Sequence, residues 1–371
     1  MAKKMRVALL FGGKSVEHEV SLQSARNVYN SIDKKKYDIV LIGIDHQGKW
    51  YLNESSNFLL HADNPQQIKL KKGKNGLALI PGERSHKMVH QGALTSIGKI
   101  DVVFPVLHGP FGEDGTVQGL LKLADLPFVG AGVLGSAIGM DKDVLKRLLR
   151  DAGLPHARFL TYRSEERDDI SYRQIEEQIG IPCFIKPANS GSSVGIHKVH
   201  DANEFKTAIA NAFQYDRKIL FEQYIQGREI ECSVLGNENP IASLPGEVIA
   251  QHEFYDYDAK YIDEKGALFE IPARLDPEVV KQVQDLAIAA FKTLCCEGMA
   301  RVDFFLTPDN KVYVNELNTI PGFTSISMYP KLWELSGISY TELIDRLIQL
   351  ALQRFEQDKK IKHSFQINPD I

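Results

Sequence analysis

Cysteine is scarce in this chain: four residues in 371. Cys183, Cys232, Cys295 and Cys296 show no metal-ligand spacing, and two of them are adjacent. That excludes a disulfide framework and suits reduced thiols in a cytoplasm, most of them core residues. Long apolar runs are also missing, so no segment is expected to span a bilayer. The start, Met-Ala-Lys-Lys-Met-Arg, leads straight into a strand-like segment with no cleavage site, and no signal peptide is expected. Positive charge is not in surplus. The net charge is −4, and basic runs such as Lys69-Leu-Lys-Lys-Gly-Lys74 are short enough to be a solvated loop, which excludes a general nucleic-acid binder. Two glycine signatures are incomplete. Gly12-Gly13 lacks the spaced glycines of a dinucleotide fingerprint, and the small-residue loop at 188–195 lacks the P-loop spacing.

What is present is an ordinary globular composition, 43% hydrophobic and 25% charged, on a chain long enough for two or three domains at about 150 residues each. Arg6-Val-Ala-Leu-Leu-Phe11 is a buried parallel strand opening at Gly12-Gly13. A helix from about 19 to 32 and a strand over 37–44 complete a right-handed β-α-β unit. Glu17 sits just before that helix, where a carboxylate either complements the dipole or holds a substrate ammonium. Residues 50–99 read as an irregular connection with short strand-like pieces such as Ala78-Leu-Ile80. A buried strand over 101–107 ends in His108-Gly-Pro-Phe-Gly-Glu-Asp-Gly115, a glycine-rich loop with three ionisable side chains. The βαβα rhythm places the first 130 or so residues in an open α/β sheet.

A different unit follows the helix at 141–152, which Gly153 and Pro155 terminate. It has a helix at 172–179 and a strand, Cys183-Phe-Ile-Lys-Pro187. The loop Ala188-Asn-Ser-Gly-Ser-Ser-Val-Gly195 comes next. Its N–H groups, with Lys186, would cradle phosphates, unless the loop is plain connection. A helix at 201–213 precedes strands at 218–225 and 229–235. Glu222 and Glu229 flank their junction as candidate contacts for a nucleotide amino group and ribose, or as surface charges. A loop opening at Gly246-Glu247 continues to Phe254-Tyr-Asp-Tyr-Asp-Ala-Lys-Tyr261, an aromatic run that is either a core cover or a lid that excludes water. Helices over 276–294 and 340–356 complete the pattern.

The organising stretch is a hairpin. Arg301-Val-Asp-Phe-Phe-Leu306 and Lys311-Val-Tyr-Val-Asn-Glu-Leu-Asn318 alternate as strands around the turn formers 307–310. A four-residue loop would set Leu306 opposite Lys311 and Asp303 opposite Val314. Arg301, Asp303, Glu316 and Asn318 then share one face. Two carboxylates and an amide make a hard oxygen site suited to Mg²⁺; the other reading is a solvated sheet face.

Taken in order, these segments resemble the D-alanine–D-alanine ligases of the ATP-grasp superfamily, over nearly the whole chain. The carriers are Gly12-Gly-Lys-Ser-Val-Glu-His-Glu-Val-Ser21, the 108–115 loop, Met140-Asp-Lys142, Lys186 with 191–195, the 254–261 run, Arg301-Val-Asp303 and 316–327. The 254–261 run also sets the chain apart from relatives that make a D-alanine–D-lactate ester. The resemblance implies an α/β (α+β) fold of three domains: an N-terminal open parallel-sheet substrate domain (1–138), a central ATP-grasp subdomain (139–226) and a C-terminal one with the metal site and lid (227–371). It implies ATP with two Mg²⁺, or Mn²⁺, held by Asp303, Glu316 and Asn318, with a monovalent cation as a further candidate. Lys142 and Lys186 would contact phosphates under the loop of Ser192 and Ser193. Glu222, with the backbones of Gln223 and Ile225, would bind adenine, and Glu229 ribose. Glu17 would hold the first D-alanine's ammonium in a trio with Ser192 and Tyr261, with His108 beside that site. Lys260 would touch the transferred phosphoryl group, Arg301 and the Gly322 N–H the oxyanion, and Ser327 with the Met328 backbone the second carboxylate. A cytoplasmic homodimer acting on D-alanine is implied, with D-serine or D-lactate as alternative second substrates. A decayed nucleotide-binding regulator is disfavoured because every ionisable position is filled. A dehydrogenase would leave the hairpin carboxylates unexplained.

Overall fold

The structure, a computed structural model, describes residues 3–53, 58–62, 64, 67–73, 76–83, 87–92, 95–250 and 267–362. Three sheets carry the site. In the first, strand Met5–Gly12 pairs in parallel with Tyr37–Ile44 and Val102–Pro105. Strict alternation sends Val7, Leu9 and Phe11 to one core and Ala8 and Leu10 to another. Such double-sided burial explains why the strand reads as one apolar run. Helices His18–Ser31 and Tyr340–Asp358 cover the first side, and helix Thr116–Leu123 the second. The helix from the far end of the chain therefore shares a core with the first strands. Arg354 fixes it there, donating to the carbonyls of Gly130 and Phe128 at 2.5 and 2.8 Å.

The sheet is only half parallel. Strands Trp50–Asn53, Gly76–Leu79 and Met88–His90 extend it antiparallel, where the sequence suggested an irregular connection with a strand-like piece at Ala78–Ile80. They are short edge pieces, too brief to show a period.

The second sheet is antiparallel, in the order His197–Val199, Cys183–Pro187, Lys218–Gln223, Phe159–Arg163. Cys183, Ile185, Ile219 and Phe221 face helices Tyr172–Gln178 and Ala202–Tyr215, which leaves Lys186 and Glu222 on the opposite face. The third sheet centres on Arg228–Gly236 and Gly298–Leu306, with Val312–Asn318 beyond. Ile230, Cys232, Val302, Phe304 and Val314 pack on helix Pro277–Thr293, along with Leu145 and Leu149 of helix Lys142–Asp151. Strand Gly246–Ala250 pairs with Arg228–Gly236 and with Ala267–Glu270, so residues expected to open a loop at Gly246 are sheet instead. Helices Val133–Met140 and Met328–Leu335 were not expected either. All four cysteines are free; Cys183, Cys232 and Cys296 are buried and Cys295 is exposed.

Candidate active site

The polar faces of the second and third sheets look towards each other, and the site is built between them. On the third sheet, the hairpin register differs from expectation in two compensating ways. Leu306 pairs with Val312, one residue later than a four-residue loop would give. That shift alone would turn Glu316 and Asn318 towards the core. A register shift between Asp303 and Phe304 then leaves Asn315 without an opposite residue, and Asp303 pairs with Glu316 and Arg301 with Asn318. The bulge thereby restores the shared face. Arg301 donates to both oxygens of Asp303 at 2.7 Å, reaches Glu231 at 3.0 Å, and Asn318 Nδ2 donates to Asp303 at 3.0 Å.

Lys142 faces this cluster, its Nζ 3.8 Å from Glu316 and 2.8 Å from the Ser190 carbonyl. It is the first residue of its helix, where the macrodipole disfavours a cation; an incoming anion would offset that. One turn on, Lys146 lies wholly buried, 2.8 Å from Glu222, and Lys186 meets the other Glu222 oxygen at 2.7 Å. Burial alone would raise the Glu222 pKa, but Lys146 and Lys186 outweigh it and bring it down to about 2. Burial lowers the Lys146 pKa against the pull of Glu222; the 2.8 Å contact between two fully enclosed groups favours the charged pair. The trio carries one net positive charge beside the cavity.

The first-unit side supplies Glu17, only 6% exposed. The Ser192 hydroxyl donates to it, so the loop of the second sheet closes onto the first. Two glycines make the approach feasible: a Cβ on Gly109 would lie 2.3 Å, and on Gly191 3.0 Å, from Glu17 Oε2. Ser192 and Ser193 hold φ of 50° and 61°, a left-handed conformation costly for serine, of the kind that clusters at ligand clamps.

His108 is buried behind Glu17. Its Nδ1 lies 3.0 Å from the Ile320 carbonyl, so that nitrogen donates, and its Nε2 lies 3.0 Å from Ser24 Oγ. Ser24 in turn accepts from the Phe323 N–H at 3.2 Å. Burial and the nearby Arg301 charge push the His108 pKa down to about 4. A neutral imidazole with both nitrogens engaged ties the 319–327 loop to the first sheet. Glu113 does likewise, accepting from the Gly109 and Ile320 N–H groups at 2.6 and 3.0 Å. Desolvation and then the Glu17 charge raise its pKa.

At the far end, Ser327 precedes helix Met328–Leu335 and makes no side-chain cap; its hydroxyl accepts from the Thr324 N–H at 2.9 Å. With no side-chain cap on this helix N-terminus, its first N–H groups suit an anion. Gly322 lies against Ser327, and a Cβ there would meet Ser327 Oγ at 2.6 Å. One cavity of about 190 Å³ is lined by Glu17, Lys142, Ser192, Arg301, Asp303 and Ser327 among others.

Models of the N- and C-terminal parts of D-alanine–D-alanine ligase match residues 6–131 and 148–349. The chain belongs to the D-alanine–D-alanine ligase family. It is 57% identical over 364 residues to the D-alanine–D-alanine ligase of Shouchella clausii, covering 98% of this chain and 99% of that one. Its fold is similar to the D-alanine–D-alanine ligase structure from Coxiella burnetii, with a TM-score of 0.84, 40% identity and 97% of each chain covered. It is also similar to the VanG D-Ala:D-Ser ligase of Enterococcus faecalis, with a TM-score of 0.82, 36% identity and 94% and 100% covered.

Within this ATP-grasp family frame, the cavity gathers Glu17, His108, Lys142, Ser192, Ser193, Glu229, Arg301, Asp303, Glu316, Asn318, Gly322, Ser327 and Met328 of the sequence-derived set. Lys186 and Glu222 lie on the adjoining sheet face. Gln223 ends its strand, with its N–H donating to the Arg158 carbonyl at 2.9 Å. Ile225 is half-buried in the junction beyond. Lys260 and Tyr261, with the 254–261 run, lie outside the described residues. Sequence reasoning missed Glu113, Lys146 and Glu231. Lys146 had a signal, one helical turn from Lys142 on the same face; Glu113 had one in its glycine-rich loop. The two carboxylates and the amide oxygen make an all-oxygen donor set, which fits a hard divalent cation.

Proposed function

We propose that this protein joins two D-alanine molecules into D-alanyl-D-alanine for peptidoglycan precursors, with ATP activating the first through an acyl phosphate. The observation that carries the reading is the cavity that brings Glu17, Lys142, the hairpin carboxylates and Arg301 together. In this reading Glu17, steadied by Ser192, holds the first ammonium. A carboxylate oxygen of that D-alanine attacks the γ-phosphorus and ADP leaves. Lys142 and Lys186 orient and neutralise the phosphates, because phosphoryl transfer depends mostly on positioning and electrostatics. Mg²⁺, when bound, adds charge neutralisation at the phosphates, and Asp303, Glu316 and Asn318 would hold two such ions, or Mn²⁺ in their place.

The second D-alanine places its carboxylate at Ser327 and the Met328 N–H. Its amine attacks the acyl carbon, an oxyanion forms, and phosphate departs as the nitrogen loses its proton. Arg301 and the Gly322 N–H meet the oxyanion, donors already fixed before charge develops. We read Glu222 and the 223–225 backbone as the adenine edge and Glu229 as the ribose contact. Lys260 and Tyr261 belong to a lid that keeps water from the acyl phosphate. Unit boundaries near 138 and 226, a homodimer and a cytoplasmic setting complete the proposal. Among the described residues no helix is long and apolar enough to cross a membrane.

Phosphate release from ATP and Mg²⁺, with D-alanine, L-alanine, D-serine or D-lactate added and the product weighed by mass spectrometry, tests the reading. Release with D-alanine and a dipeptide mass is expected. Mixed products with D-serine or D-lactate would favour the alternative second substrate, and no release with D-alanine would overturn the proposal. The same assay with and without KCl reads any part for a monovalent cation, and sedimentation reads the dimer.

A further inference from the structure

Outside the cavity, the start of helix His18–Ser31 meets the turn between strands Tyr37–Ile44 and Trp50–Asn53. Here His18, Glu19 and His46 each bring one ligating atom to within 4.8 Å of the others. His18 is buried, and its Nδ1 is 2.7 Å from the Gly13 carbonyl. A carbonyl accepts only, so Nδ1 carries the proton and Nε2 keeps its lone pair. That is the arrangement metal-ligating histidines commonly show, with the other ring nitrogen donating to a backbone carbonyl. The His46 ring lies over His18 with centroids 3.9 Å apart, opened by 27°. His46 Nε2 is 3.5 Å from Glu19 Oε1. The neighbouring carboxylate, Asp45, is otherwise committed to the Gln47 and Lys49 N–H groups and to Lys72.

We propose that His18, Glu19 and His46 form a second divalent-metal site, selective for a borderline transition ion such as Zn²⁺ over Mg²⁺. Two imidazoles and a carboxylate are the donor set such ions take, whereas the hairpin offers oxygen alone. Three protein ligands leave a fourth, tetrahedral position for water. Ligands about 2.0–2.1 Å from a tetrahedral ion stand roughly 3.4 Å apart. Closing from the present spacing requires His46 to leave its stack on His18 and Glu19 to move with it; their side chains are 55% and 39% exposed. The buried His18 stays where Gly13 holds it. An ion here would brace the Gly13 carbonyl and the loop that leads to Glu17.

The test uses the full chain, stripped with chelator and kept in excess Mg²⁺ and ADP so that the oxygen site is occupied. Zn²⁺ is titrated by calorimetry and Co²⁺ by visible absorption, alongside H46A and E19Q. One equivalent is expected to bind, with the intense absorption of four- or five-coordinate Co²⁺, and each variant should weaken binding at least about tenfold. Zn²⁺ should raise the melting temperature of the parent chain and not of H46A. H46A should keep its D-alanine-dependent phosphate release in Mg²⁺, showing that it folds. Equal titrations in parent and both variants, or only the weak spectrum of six-coordinate Co²⁺, would overturn the site.

Discussion

Replacing Glu222 with glutamine removes the negative charge that two buried ammonium groups share. Lys146 and Lys186 lie 2.8 and 2.7 Å from its two oxygens, and Lys146 is 1% exposed. With the native carboxylate the trio has a net charge of +1; E222Q leaves +2, and K146M leaves 0. The fall of the Glu222 pKa from 4.5 to about 2 corresponds to roughly 3 kcal/mol of stabilisation of its anion. Breaking a buried pair generally costs about 3–5 kcal/mol. The E222Q chain should therefore melt about 4–6 °C lower, as read by calorimetry without nucleotide. K146M should cost clearly less, because Glu222 keeps Lys186 and the lost cation is itself opposed by burial. The order of the two variants is the sharp part. If K146M proves the more damaging, or E222Q shifts melting by under about 2 °C, the trio is not the coupled unit described.

Three further outcomes follow from the geometry. R301A should retain ATP binding and lose on the order of 10²–10³ in dipeptide turnover; near-normal turnover would remove the oxyanion role. In G322A the new Cβ would meet Ser327 Oγ at 2.6 Å, so the second-substrate end should loosen. Steady-state kinetics with varied D-alanine should show kcat/KM for the second molecule falling about 10–100-fold, and unchanged kinetics would remove Ser327 from that pocket. The His108 pKa, depressed from 6.5 to about 4, means the unfolded chain takes the proton first as pH falls. The His108 contribution to stability is full above about pH 6.5 and is lost as pH drops through 4. Melting followed from pH 7 to pH 4 should decline less steeply in H108Q than in the parent chain, and parallel declines would sink the assignment.

Much of this site was legible in the residues because its chemistry sits on regular elements. Strand alternation with an assumed four-residue loop placed Arg301, Asp303, Glu316 and Asn318 on one face, and they do share it. The route differed: the loop is longer than expected and a bulge at Asn315 compensates, a backbone irregularity that alternation cannot express. The helices over 141–152 and 276–294 were visible to within a residue at each end, through caps and apolar period. Helix Val133–Met140 carries apolar residues without a clear polar face, so no period marked it. Of the edge strands between Trp50 and His90, the piece around Ala78 and Leu79 was visible, and the others were too short to show alternation. Lys146 and Glu113 were missed for another reason. A lysine on an amphipathic helix and a glutamate in a loop are ordinary surface residues until tertiary packing encloses them, and only the opposing sheet and the 319–327 loop supply that enclosure.

The most direct test of the acyl-phosphate account follows an oxygen atom. D-alanine labelled with ¹⁸O in both carboxylate positions would be turned over with unlabelled ATP, and the released phosphate analysed by mass spectrometry. If the first carboxylate attacks the γ-phosphorus and the second amine then expels phosphate, each released phosphate carries one ¹⁸O and the new peptide carbonyl retains the other. Phosphate without label, formed at the same rate as the dipeptide, would contradict the account.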